Sequence, residues 1–145
     1  MTFKYKFESI KKIKESLEKK AQKELAEVDL QIERVRVEIV KLDNIVKALK
    51  INVNEHRSIK AAEMHHINRY EEYIRQEKIS LENKIVELEL LRTKKLEELQ
   101  EKQKEYKMFE TMKEKHHEAF VVDANRLEQI MLDEVAGQKF ARGKL

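Results

Sequence analysis

Two pairs of adjacent histidines, His65–His66 and His116–His117, are the first residues of this sequence that suggest chemistry. Imidazole nitrogens bind zinc, but a helix that chelates a metal through two histidines carries them three or four positions apart. Adjacent side chains on a helix instead point about 100° apart, and the two pairs are far from each other in the chain. We therefore predict solvated surface histidines, no metal site and no bound cofactor.

Carboxylates and serines are the other candidates for chemistry. Adjacent acids occur at Glu71–Glu72 and Glu97–Glu98, but general acid–base catalysis requires a concave, partly dry site that shifts their pKa values. The chain has no Cys to act as a nucleophile, and its two Gly cannot form a phosphate-binding loop. The sequence thus predicts no catalytic residue, no small-molecule ligand and no enzymatic activity.

The composition indicates long helices that position these residues. Pro is absent, and the two glycines, Gly137 and Gly143, lie near the C-terminus, so helix breakers are missing from most of the chain. Charged and hydrophobic residues each make up 41% of the chain, which is typical of coiled coils. The net charge of +3 comes from interspersed Lys and Glu, a distribution that argues against a nucleic-acid partner.

No segment has the composition of a membrane span or a secretory signal. The longest apolar run near the C-terminus, residues 119–122, is far shorter than the roughly 20 residues that a spanning helix needs. Charged residues interrupt the apolar residues at the N-terminus, so no secretory core forms there. We expect a cytoplasmic protein.

A heptad pattern predicts a first helix over about residues 3–51. Its apolar positions alternate in steps of three and four, which keeps one stripe facing a partner helix. Lys14 is the polar exception within this first seam, whose positions are Phe7, Ile10, Lys14, Leu17, Ala21, Leu25, Val28, Ile32, Val35, Ile39, Leu42, Val46 and Leu49.

The pattern fades where Asn52, Asn54 and Ser58 cluster, which predicts a turn over about residues 52–58 with Ser58 as the N-cap of a second helix. That helix is predicted over about 59–136, followed by a frayed tail, 137–145. Its seam is looser, because Glu77, Arg92, Lys95 and Lys102 interrupt it. The apolar seam positions are Ile67, Tyr70, Ile74, Leu81, Ile85, Leu88, Leu99, Tyr106 and Phe109.

These elements predict an all-α fold: one coiled-coil domain over 1–145 in which two long helices form an antiparallel hairpin. At 1.5 Å per residue the first helix would be about 75 Å long and the second about 115 Å. Phe3 would then lie near Phe109, and the rest of the second helix would form a C-terminal overhang. Because this overhang is rich in apolar residues, we expect a partner protein, a second copy or the folded-back tail to cover it.

Aromatic residues near the predicted turn suggest a second docking surface. Tyr70 and Ile74 lie in the seam, and Tyr73 falls beside it. Partly exposed aromatic side chains are typical binding anchors. A core role and a docking role are compatible at these positions.

Several segments, in order along nearly the whole chain, resemble the bacterial flagellar export chaperone FliJ family. They are the opening residues 3–10 with Glu15, Leu17, Glu18 and residues 24–26, the mid-chain residues 58–64 leading into 70–74, and the closing residues 132–136. The glycine usual at the family's turn is absent, and His56, Arg57 and Ser58 stand there.

The resemblance implies a soluble component of the flagellar type III export apparatus at the cytoplasmic face of the inner membrane. Such a protein is a stalk similar to the gamma subunit of rotary ATPases, and its partners would be the hexameric export ATPase ring, the membrane-embedded export gate and substrate-specific export chaperones. By this resemblance the gate would contact Tyr70, Tyr73 and Ile74. The ATPase would contact Phe120, Val121, Leu127, Ile130, Met131 and Val135.

Four other functions remain open at this point. The chain has the pattern expected of the equivalent stalk of a virulence type III secretion system, or of a homodimeric structural coiled coil unrelated to secretion. A prefoldin-like holdase would need β-hairpins, for which only residues 50–54 offer a strand. A nucleic-acid clamp would need its basic residues along one face. For the stalk function we expect a monomer or weak dimer.

Overall fold

The computed structural model of the protein describes residues 2–55 and 60–143. It contains two α-helices, α1 (Glu8–Glu55) with 48 residues and α2 (Ala61–Gly143) with 83, and the described ranges hold no strand. The helices pack against each other, and the second is the longer. This confirms the predicted fold class of two long helices with an extended second arm.

The first helix begins later than predicted, because the residues before it are not helical. Residues 2–5 have no regular secondary structure, and Lys6 and Phe7 form a turn. The Glu8 N–H donates a hydrogen bond of 3.2 Å to the Tyr5 carbonyl, and the Lys11 N–H donates one of 2.9 Å to Phe7. The Glu8 carboxylate thus lies in the first turn, where it interacts favourably with the positive end of the helix dipole.

The end of α1 differs from the predicted turn over 52–58. Residues 52–55 are helical, whereas the rest of that turn, with the proposed N-cap Ser58, lies outside the described residues. Asn costs less than about 0.7 kcal/mol in a helix, so Asn52 and Asn54 do not stop α1 while the intervening Val53 is still half-buried.

At the C-terminus, α2 continues past the predicted end at residue 136. Residues 137–143, which we expected to be frayed, are helical, and residues 144–145 lie outside the described range. A helical Gly costs about 1 kcal/mol relative to Ala, which is not enough to end a long helix in the absence of Pro. Gly137 indeed has no positive φ.

Contacts within the chain group into two compact units, each of which contains a part of both helices. The central unit comprises Lys20–Gln100, and the terminal unit comprises Met1–Lys19 with Glu101–Leu145. Within each unit the two helical segments run antiparallel, since ion pairs join rising positions on α1 to falling positions on α2. The single coiled-coil domain predicted over 1–145 stays a prediction.

The central unit has an aliphatic core along the predicted seams. Val28, Ile32 and Val35 of α1 pack with Leu88 of α2. Complete burial of such a side chain stabilises the fold by roughly 1.5 to 3 kcal/mol, so this cluster contributes substantially to the packing energy of the unit. Seam residues that are partly buried around them, or buried elsewhere in the unit, are Ile39, Leu81, Ile85, Ala21, Ile74 and Leu99.

Charged residues at seam positions form ion pairs between the helices. In the central unit Arg92 pairs with Asp29, and Lys95 Nζ lies 3.2 Å from a Glu24 carboxylate oxygen. Pairs that are this exposed contribute about 0 to 1 kcal/mol each. Their main role is therefore to pair the charges of long basic side chains that occupy seam positions.

Candidate partner-binding surfaces

In the terminal unit, aromatic residues rather than an aliphatic core join the two parts of the chain. Tyr5, 8% exposed, is the sole buried side chain among the described residues of this unit. Its hydroxyl donates a hydrogen bond of 3.2 Å to the Phe109 carbonyl of α2, and its ring centroid lies 5.6 Å from that of His116. Tyr5 thus fixes the segment before α1 to α2 by both a hydrogen bond and a ring contact.

Phe3 lies farther along α2 than we predicted. It was expected beside Phe109, but its ring centroid is 5.4 Å from that of Phe120 and 4.9 Å from that of His117. An extended residue advances about 3.3 Å along the chain direction, whereas a helical residue advances 1.5 Å, so the non-helical start reaches farther than a helix would. The half-buried Phe120 consequently has a partner within the chain.

The sequence contains a signal for this extended segment that the heptad pattern obscured. Phe3, Tyr5 and Phe7 alternate with Lys4 and Lys6. Alternation with a period of two is typical of extended backbone, in which successive side chains point to opposite sides. The period therefore indicates the non-helical start that the structure shows over residues 2–5.

The two histidine pairs have different surroundings. His65 and His66 are exposed, with ring centroids 6.5 Å apart. His116 and His117 are also exposed overall, but their rings pack against the aromatic residues of the N-terminal segment, a contact that helical spacing did not predict. No group of three or more His, Cys, Asp or Glu within residues 2–55 and 60–143 is placed to hold a metal ion.

Ion pairs flank the aromatic contacts of the terminal unit. Lys113 Nζ lies 3.0 Å from a Glu8 oxygen, and Lys14 Nζ lies 3.0 Å from a Glu105 oxygen. Hydrogen bonding to Lys113 lowers the pKa of Glu8, and hydrogen bonding to Lys14 lowers the pKa of Glu105. Both acids therefore remain ionised below their usual range, and the seam residue Lys14 has a defined structural role.

Tyr106, an aromatic residue of the terminal unit, has a strongly raised pKa. Hydrogen bonding to Glu110, followed by burial, raises the pKa of Tyr106 to about 12. Its ring lies 5.9 Å from Lys11 Nζ, a distance at which a cation–π contact is favourable. The neutral phenol thus serves as a structural link between α1 and α2 in this unit.

Beyond Phe120, α2 carries an exposed apolar stripe. Every residue over 121–143 is exposed except the half-buried Ala124. Leu127, Met131 and Val135 follow Phe120 in steps of seven, four and four residues, so they lie on one face of the helix. Met131 is 67% exposed. We name these three residues, with Val121 and Ile130 at their edges, the terminal stripe.

The three residues expected to contact the export gate lie in two different environments, one buried and one exposed. Ile74 is 2% exposed and belongs to the interior of the central unit. Tyr70, predicted in the seam, is instead exposed, and its ring stacks with that of Tyr73 at a centroid distance of 6.5 Å. Tyr73 is 59% exposed. A protein partner could reach the tyrosine pair, but it could not reach Ile74.

An open groove of mixed charge lies beside Ile74 in the central unit. Lys78 Nζ is 2.9 Å from an Asp43 oxygen, and Arg75 is 2.6 Å from a Glu72 oxygen. Hydrogen bonds from Gln76 and Arg75 lower the pKa of Glu72, which makes its carboxylate a poor proton donor near neutral pH. The charged side chains of the groove are therefore mostly paired with one another at the surface. Its other lining residues include Val46, Lys47, Lys50, Asn68 and Glu71.

Within the part of the chain that the structure describes, neither helix is apolar enough over a sufficient length to cross a membrane.

Comparison with known proteins agrees with the resemblance seen in the sequence. Neither the curated proteins nor the solved structures gave a match. The sequence profile described as "Flagellar FliJ protein", however, matches residues 3–145, which is nearly the whole chain. The two long packed helices fit this assignment. The chain therefore belongs to the flagellar FliJ family and is a component of the flagellar type III export apparatus.

Proposed function

We propose that the chain is a stalk-like coupling protein that binds the hexameric export ATPase through the terminal stripe. It binds the membrane export gate through Tyr70 and Tyr73, and it escorts substrate-specific export chaperones. In this function it acts by binding rather than by catalysis, at the cytoplasmic face of the inner membrane at the flagellar base, to which it is peripherally attached. Family membership supports the export context.

The single observation that supports the ATPase contact is the exposure of the terminal stripe. Leu127, Met131 and Val135 lie on one helical face, each about half exposed or more. Complete burial of such side chains would be favourable by roughly 1.5 to 3 kcal/mol each, so a partner that covers the stripe gains binding energy from it. Phe120 forms the boundary of this surface, because Phe3 already covers part of its ring.

The ATPase contact can be tested with two matched triple variants. The first is Leu127→Asp, Met131→Asp and Val135→Asp, which places three carboxylates on the stripe. The control is Val122→Asp, Gln129→Asp and Ala136→Asp, which adds the same charge to exposed positions on the opposite side of the same helix. We expect the stripe variant to bind the purified export ATPase at least about tenfold more weakly and the control to bind normally.

Circular dichroism and light scattering complete this experiment. Both variants should keep the helicity of the wild type, because all six positions are exposed. Equal ATPase binding by the stripe variant and the wild type would refute the proposed contact. A stable dimer of the wild type that the stripe variant dissociates would show instead that the stripe pairs with a second copy.

The gate contact has a separate test. Replacing Tyr70 and Tyr73 by Asp should abolish binding to the purified cytoplasmic part of the gate protein and leave ATPase binding unchanged. Because Ile74 is buried, Ile74→Ala should instead reduce stability without a selective effect on the gate. Normal gate binding by the double tyrosine variant would refute this assignment.

A further inference from the structure

A short strip on α2 in the terminal unit combines methionines with lysines around one surface groove. We name this set the lysine–methionine strip; it consists of Lys104, Lys107, Met108, Thr111, Met112 and Lys115. It is separate from the terminal stripe, which begins at Val121. Met108 is 59% exposed, which is high for a large apolar side chain.

The spacing within the strip is that of a coiled-coil seam. Lys104, Met108, Thr111 and Lys115 follow one another in steps of four, three and four residues, so they form one line on the helix surface. This line differs from the seam used against α1, which contains Tyr106 and Phe109. A helix that presents a second heptad line can accept another helix along it, and this line is about 16 Å long, or three turns.

The charges of the strip indicate the sign of the charge that a partner would carry. Lys104, Lys107 and Lys115 are exposed, and none of them has an ion-pair partner among residues 2–55 and 60–143. Of the acids near the strip, Glu105 pairs with Lys14 and Glu110 interacts with Tyr106. Glu101, Glu114 and Glu118 also flank the strip, but within the described ranges they form no ion pair with its lysines. Three unpaired cations around an apolar floor complement a surface that is acidic at its edges and apolar along its centre.

We propose that the lysine–methionine strip is a docking site for an acidic amphipathic helix of a partner protein. Leucine-like side chains of that helix pack on Met108 and Met112, whose thioethers adapt to irregular apolar surfaces. Carboxylates at its edges pair with the three lysines, whose stems extend the apolar contact. The site is independent of the ATPase and gate contacts proposed above.

The test uses a designed peptide as the probe. The probe is a helix of about 21 residues, since shorter helices are marginal in water, with Leu at the a and d positions and Glu at the e and g positions. A second peptide has Lys in place of each Glu. Both carry an uncharged fluorophore, and binding to the full chain is measured by fluorescence anisotropy. We expect saturable binding of the Glu peptide and none of the Lys peptide.

Two variants of the strip locate the binding. Lys104→Glu, Lys107→Glu and Lys115→Glu together should weaken binding of the Glu peptide at least about tenfold. The matched control reverses three exposed lysines elsewhere, Lys20, Lys23 and Lys94, and should bind like the wild type. Met108→Gln keeps the helix propensity and the length of the side chain but removes the apolar floor, so we expect about fivefold weaker binding.

Each alternative outcome overturns the proposal. Failure of the Glu peptide to bind, or its undiminished binding to the variant with three lysines reversed, would exclude this docking site. If Met108→Gln had no effect while duplex DNA or anionic vesicles bound with the same lysine dependence, the strip would be a general polyanion site. The Leu127, Met131 and Val135 variant should bind the Glu peptide normally, so this result is separable from that of the ATPase experiment.

Discussion

The central and terminal units use the same two helices but are stabilised differently. In the central unit Val28, Ile32 and Val35 are buried against α2 in an aliphatic seam. In the terminal unit the sole buried side chain among the described residues is Tyr5, which precedes α1. One unit is thus stabilised by repeated heptad packing, and the other by a short aromatic segment.

In both units the proposed partner contacts lie at apolar or aromatic side chains outside the buried residues. Heptad packing buries the seam residues of the central unit, whereas apolar side chains outside that seam, such as Val86 and Leu90, stay exposed. The terminal unit also leaves Met108, Leu127 and Met131 exposed. Apolar side chains that stay exposed on a folded helix are a common feature of binding surfaces. The surfaces proposed for the ATPase and for an acidic helix both lie in this unit.

The largest change in the free energy of unfolding is expected for a substitution in the seam of the central unit. Ile32→Ala should lower the free energy of unfolding by about 2 to 3 kcal/mol, because it removes buried methylene groups and leaves a cavity. Leu30→Ala, two positions away and 51% exposed, is the matched control and should change stability by less than about 0.5 kcal/mol. Urea unfolding followed by circular dichroism measures both. Equal effects would show that the aliphatic seam does not dominate stability.

A smaller effect is expected where the N-terminal segment is fixed to α2. Tyr5→Phe removes the hydrogen bond to the Phe109 carbonyl and should cost about 0.5 to 1.5 kcal/mol. Hydrogen exchange should rise over residues 8–19 and remain unchanged over residues 20–55. Tyr73→Phe, at an exposed ring of the central unit, is the control and should alter neither segment. Unchanged exchange in the Tyr5 variant would mean that the ring contacts alone hold the segment.

The smallest change in stability is expected when the pH is lowered. The pKa values of Glu8 and Glu105 are lower in the folded chain than the ordinary value of 4.5. Their contribution to stability is therefore complete above that value and is lost as the pH falls through their folded pKa values. The protection factors for hydrogen exchange over residues 8–19, which correct for the intrinsic pH dependence of amide exchange, should decrease in this range. The variant Glu105→Gln should show a weaker pH dependence; an unchanged dependence would contradict a role for the Lys14 pair.

The sequence predicted the central unit well, because heptad packing is a local rule. Ala21, Ile32, Leu88 and Leu99 were all assigned to the seams from their spacing, and all are buried. Even the polar interruptions follow the rule, since Lys95 at a seam position pairs with Glu24 of the other helix. Two helices in register leave few alternatives for such positions, so periodicity alone is sufficient to identify them.

The terminal unit was harder to predict, because its contacts do not follow the heptad rule. The register of Phe3 depends on a non-helical segment whose reach differs from that of a helix, and His116 and His117 contact rings far away in the chain. The central unit has one such exception, since Tyr70 fits the seam pattern but is exposed. The candidate sites have the same difficulty, since the spacing of Leu127 and Met131 shows that they share a face but not which protein covers it.

The extended start of the chain has a practical consequence for the design of binding experiments. Phe3 already reaches Phe120, and each extended residue placed before it would advance about 3.3 Å along α2. The helix from Phe120 to Val135 is about 22 Å long, a distance that roughly seven extended residues span. A purification tag fused to the N-terminus is therefore long enough to lie over the terminal stripe and compete with an incoming protein, whereas a cleavable tag removed before the assay avoids this competition.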